Sequence, residues 1–163
     1  VRMSGIDLSF VSGKEKFNYR VCAVILSEGK LLAMHDERSP YYYLPGGRVQ
    51  MGETAEAAVV REVQEELEIT PEIIRPLWLN QAFFTEDVDG LHYHELCLYF
   101  LMDISHTDLL SKGEKFTLLE RHHTHKFEWL PFERLEREYF YPLFLKKEIF
   151  HLPEALTLRT ELE

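Results

Sequence analysis

A chain of 163 residues is long enough to bury a substantial core and short for two, so one domain spanning residues 1–163 is expected. A formal net charge of −10 argues against non-specific binding to nucleic acid or to anionic membranes, both of which need a basic surface. The apolar residues, 45% of the total, are spread over runs too short for a membrane span, and residues 1–20 lack an apolar signal core, which makes the cytoplasm the expected location.

Residues 1–17 carry no clear period and are expected to form a leader or an added strand. Tyr19 to Leu26, YRVCAVIL, is a near-continuous β-rich run of the kind buried on both faces of a sheet. Ser27, Glu28 and Gly29 mark a tight turn, from which Lys30 to Met34 returns as the hairpin partner. A polar loop from His35 to Pro40 carries Arg38. Tyr41, Tyr42 and Tyr43 then lead into Leu44, Pro45, Gly46 and Gly47; alternate tyrosines here either pack on the core with their hydroxyls at the rim or offer a face on which a planar group stacks. Thr54 can cap a helix in which Val59, Val60, Val63 and Leu67 recur at helical spacing, and Pro71 stops it.

Ile73 to Phe84 reads as a strand with a kink or an edge at Pro76, followed by a hairpin loop from Glu86 to Gly90. His92 to Ile104 is the longest β-like run; after a polar stretch from Ser105 to Lys115, a strand resumes at Lys126 to Leu130. From Pro131 the pattern turns helical through Phe132, Leu135, Tyr139, Leu143 and Leu145, with Pro142 dividing it, which predicts a terminal covering helix. The tail from His151 to Glu163 has few large apolar residues and is expected to fray or dock weakly. Cys22 and Cys97 lie inside apolar strand runs and read as buried free thiols. His122, His123 and His125 do not make a zinc set, because adjacent strand residues point to opposite faces and no cysteine accompanies them. Strands, one helix, more strands and a closing helix predict an α/β fold, a mixed sheet with helices on both sides.

The densest chemistry lies between Gly46 and Ile69. Glu62, Glu65 and Glu66 are spaced i, i+3, i+4, which puts three carboxylates on one helix face beside the apolar stripe. Such like charges repel, and Arg61 is the only cation within a turn. A hard cation would supply the missing charge: Mg²⁺ takes one or two carboxylates and completes its shell with water and phosphate oxygens. Gly46 and Gly47, lacking Cβ atoms, let a phosphate or metal approach the backbone. An anionic substrate would need such local help, from the metal and from Arg38, Arg48 or Arg20.

From Gly47, five residues lead to Glu53 and seven more to Arg61, then Glu62, Val63, Gln64, Glu65, Glu66, Leu67, Glu68 and Ile69. This resembles the Nudix box, in which glycine, five residues, glutamate and seven residues precede Arg-Glu-apolar-any-Glu-Glu-any-Gly-apolar; Glu68 stands in place of the second glycine. Leu44-Pro45 before the glycines, and Glu128-Trp129-Leu130-Pro131 before the closing helix, also look like the family's segments.

The resemblance implies a Nudix-type α/β/α sandwich, with the carboxylate helix on one side of the sheet and a C-terminal helix on the other. It implies hydrolysis of a phosphoanhydride in a nucleoside diphosphate linked to another moiety, of the nucleotide or nucleotide-sugar type. Gly46, Glu62, Glu65 and Glu66 would hold Mg²⁺ or Mn²⁺. Arg61 would orient Glu53 or Glu65, Glu53 at the loop's end would support the site or accept a proton, and Arg38, Gly46, Gly47, Arg48 and Tyr43 would meet the substrate. For the proton acceptor the preferred residue is Glu95, because a carboxylate amid apolar strand neighbours is costly to bury unless paired, liganded or functional; Glu114, Glu120 and His123 are the other candidates. A small-molecule diphosphate is then the expected partner, with no nucleic acid or membrane and with room for a homodimer. The marks of three substrate classes are missing: asparagine occurs only at Asn18 and Asn80, Phe84 and Thr85 stand where ADP-ribose enzymes often have proline, and Tyr93 comes too late for the tyrosine of diadenosine polyphosphate enzymes. The alternative is a non-catalytic Nudix-like domain that senses a nucleotide or metabolite, although such domains typically lose box carboxylates that this chain keeps.

Overall fold

The run from residue 15 to residue 27 sets the frame. Alternate side chains of a strand point to opposite faces, and when nearly all are apolar both faces must be covered. In the computed structural model, which describes residues 5–163, Val21, Ala23, Val24 and Ile25 are wholly buried in this strand. In chain order the strands are β1 (Ser9–Ser12), β2 (Glu15–Ser27), β3 (Lys30–Asp36) and β4 (Gly46–Arg48). Helix α1 (Ala55–Leu67) is followed by β5 (Glu72–Thr85), β6 (His92–Asp103), a 3-10 turn at Leu109–Lys112, β7 (Lys115–Glu120) and β8 (His123–Pro131). Two short helices, α2 (Phe132–Leu135) and α3 (Leu145–Glu148), precede β9 (Thr157–Leu162).

The described strands form one mixed sheet in the order β7-β8-β3-β2-β6-β5-β9, with β1 and β4 pairing with β2 off this path. The β2–β6 and β5–β9 pairs are parallel and the others antiparallel. Val59, Val63 and Leu67 of α1 pack on one face with Val21, Ala23, Ile25, Phe100 and Met102. Burial of each such side chain contributes about 1.5–3 kcal/mol, which fixes the rotation of the helix. On the other face Val24, Trp78 and Tyr99 are covered by Leu135, Phe140, Leu145 and Ile149. Helices therefore lie on both sides of a mixed sheet. Among the described residues no helix is long and apolar enough to cross a membrane.

Three expectations need correction. The tail does not fray: residues Thr157–Leu162 pair with β5 from Trp78 to Phe83, and Arg159 is tied to Glu148 and lies over the Phe144 ring at 4.3 Å. Its Leu158 and Leu162 stay exposed, so backbone pairing holds it and no hydrophobic pattern announced it. The closing helix is divided as expected, but its pieces are only Phe132–Leu135 and Leu145–Glu148, since the chain turns away from helix between Glu136 and Phe144 and Pro142 has no N–H to continue one. The polar stretch after β6 gives way to a strand, β7, whose alternate side chains are exposed. Residues 9–12 supply an added strand on β2, while residues 1–4 lie outside the described residues. At Pro76 the β5–β6 register shifts, and β9 pairs with β5 only from Trp78 to Phe83, so the strand is kinked at Pro76 and flanked by β9 only beyond it.

Helix α1 ends at Glu68 with φ 58° and ψ 33°, its N–H donating to the Gln64 carbonyl. A left-handed conformation costs an L-residue about 1–2 kcal/mol, and Glu68 is exposed, so little is lost with its side chain. Glu68→Gly is expected to be stabilising by about 0.5–1 kcal/mol after the added freedom of the unfolded chain is deducted, or roughly 1–4 °C in Tm. A thermal melt decides it, and a fall in Tm would show that the strain is not there.

Candidate functional site

Local sequence builds one half of the site. The Thr54 hydroxyl accepts the Ala57 N–H at 3.0 Å, starting α1 in a register that buries Val59 and Val63 and turns Glu62 and Glu66 toward β4. Strand β4 places Gly46 opposite Cys22 and Gly47 opposite Val21. Backbone leaves Gly46 no room for a side chain, whereas at Gly47 a side chain would displace the Glu62 carboxylate. A Cβ at Gly46 would fall 2.1 Å from the Val21 carbonyl oxygen, and one at Gly47 would fall 2.3 Å from the carboxyl carbon of Glu62. The close approach lets the Gly46 N–H donate to Glu66 Oε1 at 2.9 Å.

Arg61 gathers the acidic groups. Its Nε and Nη2 donate to the two oxygens of Glu53 at 2.7 and 2.9 Å, and Nη2 also donates to the Arg48 carbonyl at 3.0 Å. Its Nη1 donates to Glu62 Oε1 at 2.8 Å and lies 3.5 Å from Glu65. Glu53, with its side chain only 1% exposed, also accepts the Gln50 N–H at 3.0 Å. Arg61, helped by that amide, holds the Glu53 carboxyl below its ordinary range. Its fork-shaped, two-bond grip orders the loop before the helix.

Glu62 and Glu66 are in the opposite condition. Burial, with Glu65 and Glu120 adding repulsion, pushes the Glu62 carboxyl up to about 7 against the pull of Arg61. Burial and the charges of Glu62 and Glu120 push Glu66 well above its ordinary value, opposed by the Gly46 N–H and by Arg20. An all-oxygen donor set, two buried carboxylates lacking sufficient opposing charge and a glycine cradle suit a hard divalent cation. Among the described residues, the one set of three acidic or histidine side chains with ligand atoms within 4.8 Å of one another is elsewhere, at Glu72, Asp103 and His106. The box carboxylates do not close to that spacing here, since Glu62 and Glu65 lean on Arg61.

A pH dependence follows. Glu62 titrates near 7 in the folded chain and near 4.3 when unfolded. Its contribution to stability is thus fully present below the unfolded value and lost as pH rises through the folded one. The metal-free protein is expected to melt at progressively lower temperature as pH rises from about 4.5 to about 7.5, while its affinity for Mg²⁺ rises over the same window as the proton leaves. Melts in chelator across this range test it; Glu62→Gln is expected to flatten the curve, and an unchanged slope would refute the assignment.

The other candidate residues are dispersed. Arg38 is committed to Asp36, with bonds of 2.7 and 3.2 Å, and is 57% exposed. Tyr43 donates its hydroxyl to the same carboxylate at 3.1 Å. Arg48 lies 3.6 Å from Asp7. Glu114 pairs with Lys30, and His123 lies 3.5 Å from Glu37, both at the surface. Glu95 is not brought to the carboxylates. It shares the sheet face of Cys97 and Tyr99, opposite α1, and accepts a hydrogen bond from Asn18 Nδ2 at 2.9 Å, with Asn18 held in turn by Ser9 at 2.6 Å. Pairing satisfies this strand carboxylate.

Outside the helix, the carboxylate whose charge acts on both Glu62 and Glu66 is Glu120, at the end of β7. Its Oε1 lies 2.9 Å from Nε2 of His125, a ring that is 5% exposed. On the other side of that ring Nδ1 has no hydrogen-bond partner and lies 4.0 Å from Asp36. Sequence reasoning missed Asp36 and His125. Both stand in polar stretches, Asp36 between His35 and Glu37 and His125 between Thr124 and Lys126, and only the β3–β8 register, which sets Asp36 opposite His125, makes them a unit with Glu120.

The NUDIX domain family model matches residues 16–149. An ADP-ribose pyrophosphatase of Methanocaldococcus jannaschii is 32% identical over 87 residues, which is 52% of this chain and 49% of that protein. The 8-oxo-dGTP diphosphatase of Escherichia coli is 68% identical over 28 residues, 17% of this chain and 22% of that protein. These matches thus span half or less of the relatives' length. Among solved structures, a MutT protein from Bacillus halodurans superposes with a TM-score of 0.58 at 16% identity, covering 88% of this chain and 90% of the other; at that identity the likeness is one of fold.

Proposed function

The chain belongs to the NUDIX domain family, and from that premise we propose that it is a metal-dependent hydrolase cleaving a phosphoanhydride bond in a nucleoside diphosphate linked to a second group. The observation that carries this reading is the pair of carboxylates Glu62 and Glu66, one half-buried and one buried and both raised above the ordinary range, packed against the Gly46-Gly47 strand, where a side chain at Gly46 would meet backbone and one at Gly47 would displace Glu62. Glu62 and Glu66, with Glu65 and the Gly46 carbonyl, would hold Mg²⁺ or Mn²⁺. Bound there, the metal supplies charge neutralisation on the diphosphate oxygens and a water of lowered pKa.

The remaining work falls to side chains. Phosphoryl transfer asks the protein mainly to position groups and to offset charge. Arg61 keeps Glu62 aimed at β4 while its grip on Glu53 fixes the loop between β4 and α1. The glycines of β4 give the diphosphate access to the backbone. Glu120 takes the proton of the attacking water, and the ring of His125 at 2.9 Å holds it in place. Arg38 and Arg48 are spent on Asp36 and Asp7, so substrate contact from either would require exchange of partners.

The test is release of phosphate or mononucleotide from a panel of nucleoside diphosphate derivatives, with Mg²⁺ and with chelator. ADP-ribose and 8-oxo-dGTP, after which two of the relatives are named, belong in it beside nucleotide sugars. Turnover that requires the metal is expected for at least one member. Turnover that persists in chelator would refute the reading, and binding without turnover would favour a sensor.

A further inference from the structure

Three tyrosines form a surface beside this site. Tyr41, after β3, and Tyr139 and Tyr141, between α2 and α3, have ring centroids 5.5 Å (Tyr41–Tyr139), 5.1 Å (Tyr41–Tyr141) and 5.8 Å (Tyr139–Tyr141) apart. The two segments are joined by their backbones: the Tyr42 N–H donates to the Tyr139 carbonyl at 2.8 Å, and the Tyr141 N–H donates to the Tyr42 carbonyl at 3.0 Å. Phe140 between them is fully buried and anchors the loop, while Tyr139 and Tyr141 remain 56% and 43% exposed. Buried residues here serve the core; these two rings do not.

The surface continues into the carboxylate site. The Tyr43 ring is the next neighbour of Tyr41, at 6.2 Å, and its hydroxyl lies within the electrostatic reach of Glu66. The spacing also selects the ligand. Centroids 5.1–5.8 Å apart belong to rings in mutual contact, which leaves no cage between them for a quaternary ammonium ion, the usual guest of clustered tyrosines. The ring planes are inclined to one another by 56–88°, so a flat aromatic group stacks on one exposed face and meets the edges of the neighbouring rings, whichever base carries it.

We propose that Tyr41, Tyr139 and Tyr141 form a stacking platform for the base of a nucleoside diphosphate whose phosphates lie at Glu62 and Glu66. The platform rests on the diphosphate reading of the carboxylate site, and the test separates the two. Calorimetric titration in Mg²⁺ compares adenosine 5′-(α,β-methylene)diphosphate with methylenediphosphonate, its counterpart without a base, neither of them cleavable at the bridged bond. The wild type is expected to bind the nucleotide more tightly. Tyr139→Ala and Tyr141→Leu are each expected to weaken nucleotide binding about tenfold and to leave methylenediphosphonate unaffected, whereas Tyr139→Phe retains wild-type affinity. Circular dichroism confirms folding, and the exposed Tyr139 provides the variant least able to disturb it. Equal affinity of the wild type for both compounds, parallel loss of both, or no loss in the Ala and Leu variants would overturn the platform. Nucleotide binding that depends on the tyrosines, with no binding of methylenediphosphonate, would sustain the platform and sink the diphosphate reading.

Discussion

Glu66→Gln is expected to abolish metal-dependent hydrolysis while leaving the fold intact. The glutamine oxygen can still accept the Gly46 N–H that now reaches Glu66 at 2.9 Å, and a neutral group suits a position where burial already drives the carboxyl toward its protonated form. The metal-free variant is therefore expected to melt at the wild-type temperature or slightly above it near neutral pH, since glutamine is neutral beside Glu62 and Glu120 without having to hold a proton. Activity should respond in the opposite sense. A metal-held diphosphate draws several kcal/mol of transition-state stabilisation from its ion, so loss of a ligand is expected to reduce kcat by roughly 10³-fold. Steady-state kinetics at saturating Mg²⁺, beside a thermal melt, measure both. Near-wild-type turnover, or an unfolded variant, would show that Glu66 serves the core and not the metal.

The second large effect is expected at Glu120. Glu120→Gln should lower kcat by about 10²–10⁴-fold with a smaller change in KM, the range for loss of a positioned general base. Glu95→Gln should leave kcat within a few-fold, because Glu95 is engaged by Asn18 on the sheet face away from α1. If Glu95→Gln loses kcat and Glu120→Gln does not, the proton travels by the sheet face and the role given to Glu120 is wrong. His125→Gln, which keeps a donor toward Glu120, should lose less than His125→Ala; equal losses would show that the ring acts by packing alone.

Much of the site was legible because it is local. Within a helix the period of 3.6 residues dictates which side chains adjoin, so the grouping of Arg61, Glu62, Glu65 and Glu66 followed from spacing alone, and the Thr54 cap from its residue type and place before the apolar stripe. Strand β2 was equally plain, since an unbroken apolar run has to be covered on both sides. Substrate-facing assignments were less secure. The sequence places Arg38 near the box but does not show that Asp36, two residues away and buried, takes its guanidinium.

What the sequence by itself determined is the box geometry, the covered central strand and the family to which both belong. Only the tertiary structure decided which of two strand carboxylates, Glu95 or Glu120, stands before Glu62 and Glu66. That choice depends on the β7–β8 and β2–β6 pairings, and a carboxylate in an apolar strand carries the same signal whether it is paired with Asn18 or turned to a site. Tertiary structure likewise brought Tyr139 and Tyr141 to Tyr41, and seated the tail as β9 through backbone hydrogen bonds. Such backbone bonds are available to almost any side-chain sequence, and contacts between residues some 80 to 100 positions apart are set by register and loop closure, which no local periodicity records.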